Sequence, residues 1–262
     1  MKRIYYFMLL ILLSPVVVMA DFFWVAVLAK GSGLKEQRIL YNTKLDSLTP
    51  DVQKSWGEGY RITDISHSPR RWSVILSKGT GIDKQLYIHR RLMGEFQESV
   101  NHYLRKGYTL TNVENGVGEW VAIFEQGGKV ERTELVVVRD VEVLETEIKK
   151  HQSQGFLLVD VEAAVGYWTA VFAQKAPCKV QTYALLEDKE TLEKTITQRW
   201  KEGYNLQNLE YGNNQWFPLF CKYDTPRKET YIISDKYVKF RRLISDYWQK
   251  DYRIIDLAEG RK

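Results

Sequence analysis

Few side chains in this chain are placed to do chemistry. A catalytic thiol needs a base beside it, yet the two cysteines, Cys178 and Cys221, share no fixed spacing with His67, His89, His102 or His151. There is no HExxH-like pair, so no metal or cofactor site is expected. The Lys-Gly-x-Gly segments at Lys30 and Lys78 lack the spacing of a phosphate-binding loop and read as hairpin turns. The cysteines leave two readings open. They form a disulfide if the strands carrying them are neighbours in an exported protein, or they are two small buried thiols.

One set of polar residues has regular spacing. Asp64, Asn112, Asp160, Asn208 and Asp256 recur every 48 residues. As a ring of carboxylates and amides around an axis they would bind a cation or a small polar ligand. As structural groups they would accept the indole N–H of a tryptophan on the paired strand, with position 64 opposite Trp72, or form local turn bonds. Lys30, Lys78, Gln126, Gln174 and Lys222 share the same period and are expected to form a second ring near the opposite end.

The elements that carry these columns follow from the same repeat. Trp24, Trp72, Trp120, Trp168 and Trp216 are spaced by 48 without insertion, as are Gly59, Gly107, Gly155 and Gly203, with Asp251 in the fifth copy. After each Gly an alternating run such as Tyr60–Ile65 reads as a half-buried strand. The Trp run that follows is apolar at nearly every position, which predicts a central strand covered on both faces. A third strand follows the turn, starting near Gln37, Gln85, Glu134, Gln181 and Thr230. The helix is read from Leu48, Phe96, Leu144, Leu192 and Phe240 with Val52, Val100, Ile148, Ile196 and Ile244 one turn on. The glycines fit its left-handed stop. Cys221 ends a Trp strand at a position held elsewhere by Ala29, Ser77, Glu125 and Ala173.

The repeat begins with a second strand and ends just after a first strand, so the Trp24 strand supplies what the C-terminal unit lacks. This predicts an α+β repeat of strand-strand-strand-helix units, 48 residues each, closed as a five-unit α/β-propeller by its terminal strands. An open solenoid would instead carry polar capping repeats.

Composition agrees with a folded chain: 262 residues, 44% apolar and 27% charged. The net charge of +5, two of it from Lys2 and Arg3, is too mild to imply nucleic acid. Lys2 and Arg3, the apolar run Ile4–Val18 and the small residues before Asp21 read as a signal peptide over 1–20, leaving 21–262 as one domain. A secreted or periplasmic protein is expected, monomeric and without a membrane span once cleaved. All eight Trp fall in two repeat columns, so they read as core. Carbohydrate binding would then rest on loop aromatics such as Tyr167 or Tyr211.

In topology the unit resembles the penteins, which include guanidine-modifying enzymes and ribosome-binding factors. At residue level the stretch Trp56-Gly57-Glu58-Gly59-Tyr60-Arg61-Ile62-Thr63, then Trp72 to Gly81 and Gln85, resembles the repeat domain that follows the kinase domain of plant casein kinase-like proteins and recurs in bacterial proteins. That resemblance implies a non-enzymatic accessory module and carries over no site. The expected function is binding of a protein or a small polar ligand. A pentein-type enzyme acting on a small polar substrate and a carbohydrate-binding protein are the alternatives.

Overall fold

The computed structural model describes residues 22–68, 71–164 and 166–261. The signal peptide expected over 1–20 lies outside them. In chain order the elements are β1 (Phe22–Lys30), β2 (Gln37–Asn42), α1 (Thr49–Gly57), β3 (Arg61–Ser68), β4 (Arg71–Ser77), β5 (Lys84–Arg90), α2 (Met93–Arg105), β6 (Thr109–Gly116), β7 (Glu119–Gln126) and β8 (Glu131–Val138). They continue with α3 (Val141–Ser153), β9 (Leu157–Ala164), β10 (Tyr167–Lys175), β11 (Val180–Tyr183), α4 (Lys189–Lys201), β12 (Asn205–Gly212), β13 (Gln215–Lys222), β14 (Lys228–Ser234), α5 (Tyr237–Gln249) and β15 (Arg253–Arg261).

These form five antiparallel three-stranded sheets and five helices, a repeated α+β fold. The strand orders are β2-β4-β3, β5-β7-β6, β8-β10-β9, β11-β13-β12 and β14-β1-β15. In each sheet the Trp strand is central, as its unbroken apolar run predicts, and Val25 to Ala29 are wholly buried. The fifth sheet joins the chain ends: β1 pairs with β14 on one side and β15 on the other. The most N-terminal strand is therefore enclosed by the last two.

Each helix stripe packs between its own sheet and the next. Val52 of α1 clusters with Ile62 and Trp72 of the first sheet and Val121 and Ile123 of the second. Phe240 and Ile244 of α5 cluster with Leu28 and Ile254 of the fifth sheet and Ile75 of the first. The helices stop as expected. Gly59, Gly107, Gly155 and Gly203 have φ of 79° to 85°, and Asp251 takes the same left-handed conformation at φ 64°.

A second set of contacts joins the sheets at their outer ends. Gln85 Oε1 accepts from the Trp56 indole at 3.1 Å and from Ile62 N at 2.7 Å, while its Nε2 donates to Ile62 O. Gln37 does the same for Trp248 and Ile254, and Glu229 accepts from Trp200 and Leu206 N. In the unit whose helix carries Leu104 instead of Trp, the clamp shortens to Thr133, whose hydroxyl accepts only from Leu110 N. Gln181, in the unit that carries Gln152, keeps the same reach without an indole, accepting from Leu158 N and donating to Leu158 O, so the clamp serves the neighbouring backbone in every unit and the indole where one is present.

Candidate functional site: the carboxylate axis

The strands β3, β6, β9, β12 and β15 carry the same irregularity. In each, one extra residue (Thr63, Thr111, Val159, Gln207 or Ile255) interrupts the register against the central strand. Such a bulge re-aims the side chain that follows it. That residue is the Asp or Asn of the polar column.

The column does not meet the tryptophans. β3 runs on to Ser68, which pairs with Arg71, so Trp72 faces His67 and Asp64 faces Ile75. The expected pairing of Asp64 with Trp72 is corrected accordingly, because the strand continues where a seven-residue loop was read. Instead, each Asp accepts a backbone N–H from a neighbouring strand. Asp64 Oδ2 takes Leu257 N at 2.8 Å, Asp160 Oδ2 takes Val113 N at 2.7 Å and Asp256 Oδ2 takes Leu209 N at 2.9 Å. The amides fill gaps between carboxyls: Asn208 Nδ2 lies 3.2 Å from Asp160 Oδ1 and 3.4 Å from Asp256 Oδ1, and Asn112 Nδ2 reaches Asp160 Oδ1 at 3.3 Å.

Two residues further along lies a layer of Glu114, Glu162 and Glu210, with Ser66 and Ala258 in the other two units. Glu114 Oε1 accepts His67 N at 3.2 Å and Glu162 Oε1 accepts Asn115 N at 3.1 Å. Glu210 accepts Ala163 N and is hydrogen-bonded to the Glu162 carboxyl.

Burial pushes all six carboxyls up, Asp160 to about 7 and Glu210 to about 8. Asp64, Asp256, Glu114 and Glu162 rise well above the usual range, first because they are desolvated and then because carboxylates face them. At neutral pH the axis therefore holds protons as well as charge, and its neutral carboxyls can donate.

Two cavities flank these layers. The wider, about 280 Å³, has the whole Asp/Asn column in its lining together with Thr63, Thr111 and Gln207, the tip of the Gly79–Ile82 turn, Glu125, Lys129 and Arg227. The narrower, about 90 Å³, is lined by Glu114, Glu162, Glu210, Glu259, His67 and Tyr211. Burial lowers the His67 imidazole to about 4, so it is neutral there.

The five residues of the expected second ring do not come together around the axis. They lie at the ends of central strands, one strand away from it, and face local partners: Lys78 with Glu36 at 3.0 Å, Gln174 with Arg132 at 2.9 Å, and Lys222 4.4 Å above the Tyr204 ring. Gln126 reaches Gly107 O, and Lys30 is exposed. The second-ring expectation fails because the first strand of each unit, not the second, is innermost. Cys178 and Cys221 are joined in a disulfide with Cα atoms 5.7 Å apart, β11 being the direct neighbour of β13. No group of three or more His, Cys, Asp or Glu among the described residues is placed to hold a metal ion.

The Glu layer and Glu125 escaped the reading of the sequence. The layer had a usable signal, Glu at 114, 162 and 210 with the same 48-residue period, but it occupies only three of five copies. Glu125 stood out as the single charged residue in its column.

Comparison with known proteins adds a family. The profile of DUF7477, a domain of unknown function, matches residues 16–216. No curated protein matches the chain.

Proposed function

Since the chain belongs to the DUF7477 family, whose function is unknown, its role has to be read from the axis, and we propose that it is an exported, non-catalytic binding module that holds a small polar ligand in the wider axial cavity. The observation that carries this is the cavity of about 280 Å³ lined by Asp64, Asn112, Asp160, Asn208 and Asp256. A concave site with a few convergent polar groups on rigid strands is what small-ligand recognition requires.

The scaffold in this reading is a closed five-unit α/β-propeller of pentein-like topology, supported by the pairing of β1 with both β14 and β15 and by the bond from Leu257 N to Asp64. The plant kinase-associated repeat domain fits as a related accessory module. Export is supported by the Cys178–Cys221 bridge, since disulfides persist in oxidising compartments. The same bridge favours binding over pentein-type thiol chemistry, because both sulfurs are committed to each other. Trp72, Trp120, Trp168 and Trp216 are buried, which leaves carbohydrate stacking to Tyr167 and Tyr211.

The test is thermal stabilisation by a panel of small amines, polyols, amino acids and organic acids, read on the wild type and on Thr111→Trp, which fills the cavity. Binding predicts that one class raises Tm in the wild type and not in the variant. Equal responses from both proteins, or none from any class, would count against the reading.

A further inference from the structure

The central strands carry a column of small or neutral residues: Ala29, Ser77, Ala173 and Cys221. The exception is Glu125 in β7. The residue is 6% exposed, it lines the cavity, and among the described residues its side chain makes no hydrogen bond or ion pair. Neither oxygen is sealed from the cavity, so this carboxyl is open to whatever fills the space, water or ligand.

Its surroundings fix it in place. A Cβ on Gly128 would fall 1.9 Å from Glu125 Oε1, so the carboxyl rests against the backbone of the turn after β7, which also lines the cavity. The cations nearby do not neutralise it. Lys129 is exposed, and the Arg227 guanidinium lies 4.2 Å over the Tyr223 ring while its backbone N–H donates to Asn205.

A second acceptor, beside the cavity, is also unused. Asn208 lines the cavity, is 8% exposed and spends its Nδ2 on Asp160 and Asp256, which leaves Oδ1 without a donor and closed off from the open space. Asp64, Asp160 and Asp256 add carboxyl oxygens to the same lining. With the axial carboxyls partly protonated at neutral pH the cavity presents both acceptors and donors, and Glu125 is the carboxyl in it that no protein group pairs.

We propose that the ligand of this cavity is a small organic ammonium ion, its N–H donors shared between the Glu125 carboxylate and the axial oxygens, with Glu125 as the group that selects for the positive charge. This rests on the cavity being a binding site and names the chemical class it takes. Three N–H donors on one nitrogen match a set of acceptors spread over the cavity lining, and the charge offsets the desolvation of the carboxylates around it. Burial holds Glu125 up at about 7 in the empty protein. An ammonium ion beside it favours the ionised form, so binding near neutral pH releases a proton from Glu125.

The test is NMR of the purified protein with ¹³C-labelled glutamate side chains. The Glu125 resonance is identified by its loss in Glu125→Gln, and its titration is followed in ethanolamine, in sodium chloride of equal ionic strength, and in glycerol. The expected result is a fall in the Glu125 pKa of about one unit or more with ethanolamine alone, and about tenfold weaker ethanolamine binding to Glu125→Gln. Circular dichroism of the variant checks that it is folded. Identical titrations in ethanolamine and sodium chloride would overturn the ammonium assignment. If glycerol then bound wild type and variant alike, the cavity would still be a polar site of another class. If neither probe perturbed any cavity resonance, the binding reading would fall with it.

Discussion

The two ends of the axis are built from the same materials and differ in what is left over. At the narrow end Glu114, Glu162 and Glu210 each accept a backbone N–H from the neighbouring strand, and the space between them is about 90 Å³. At the wide end the Asp carboxyls are bonded in the same manner, yet Glu125 lines about 280 Å³ of space with no protein donor, whereas the unpartnered group at the narrow end is the neutral, occluded His67 Nε2. Buried charge alone does not mark a site, because a carboxylate that stitches two strands together is spent. An unpaired carboxyl facing a cavity marks where a ligand supplies what the fold does not.

The largest effect should come from removing the strand that both ends share. Deleting 248–262 takes Asp256 from the wide end and Glu259 from the narrow one, and leaves β1 without its partner β15. The exposed apolar surface, at about 25 cal/mol per Å², is expected to unfold or aggregate the protein. A truncated protein whose Tm stayed within a few degrees would show that the closing sheet is dispensable.

Next, the ends should respond differently to loss of a carboxyl. Glu162→Ala orphans Asn115 N–H in a buried layer and should cost about 2–3 kcal/mol by urea unfolding. Glu125→Gln breaks no hydrogen bond and should stay within about 0.5 kcal/mol of wild type. Equal losses would erase the distinction drawn between the two ends.

Both ends should weaken together with alkali. Asp160 and Glu125 are pushed up to about 7 and Glu210 and Glu259 to about 8, all above their unfolded values. The native state therefore holds protons that the unfolded chain has released. The stability this contributes is complete below about pH 4 and is lost as pH rises through 7 and 8. Tm should fall between pH 5 and pH 9, as scanning calorimetry would show, and Glu125→Gln should flatten that slope only at the wide end's share of it.

Much of this architecture was legible because five copies average out the noise of any one. Trp columns 48 apart identified the central strands, and the mismatch between the chain's first and last elements pointed to β1 completing the C-terminal unit. What escaped was local or sparse. A bulge at Thr63 and its counterparts leaves no mark in an alternating pattern, yet it re-aims Asp64 toward β15. The Gln37, Gln85 and Glu229 clamps were legible only in combination with Trp248, Trp56 and Trp200, a coupling between columns rather than within one. The ring of Lys30, Lys78, Gln126, Gln174 and Lys222 had the right period but the wrong radius, since periodicity does not say which strand is innermost.

The smallest perturbation is also the most local. Gly128→Ala would place a methyl against Glu125 Oε1 and displace the carboxyl, with little change in Tm and a measurable loss of ethanolamine affinity. Electron density from crystals soaked in ethanolamine would test the contrast between the two ends most directly. The account predicts a bound molecule at the wide end, its nitrogen within hydrogen-bond distance of Glu125, and nothing but water among Glu114, Glu162 and Glu210. Ethanolamine seated at the narrow end, or at neither, would contradict it.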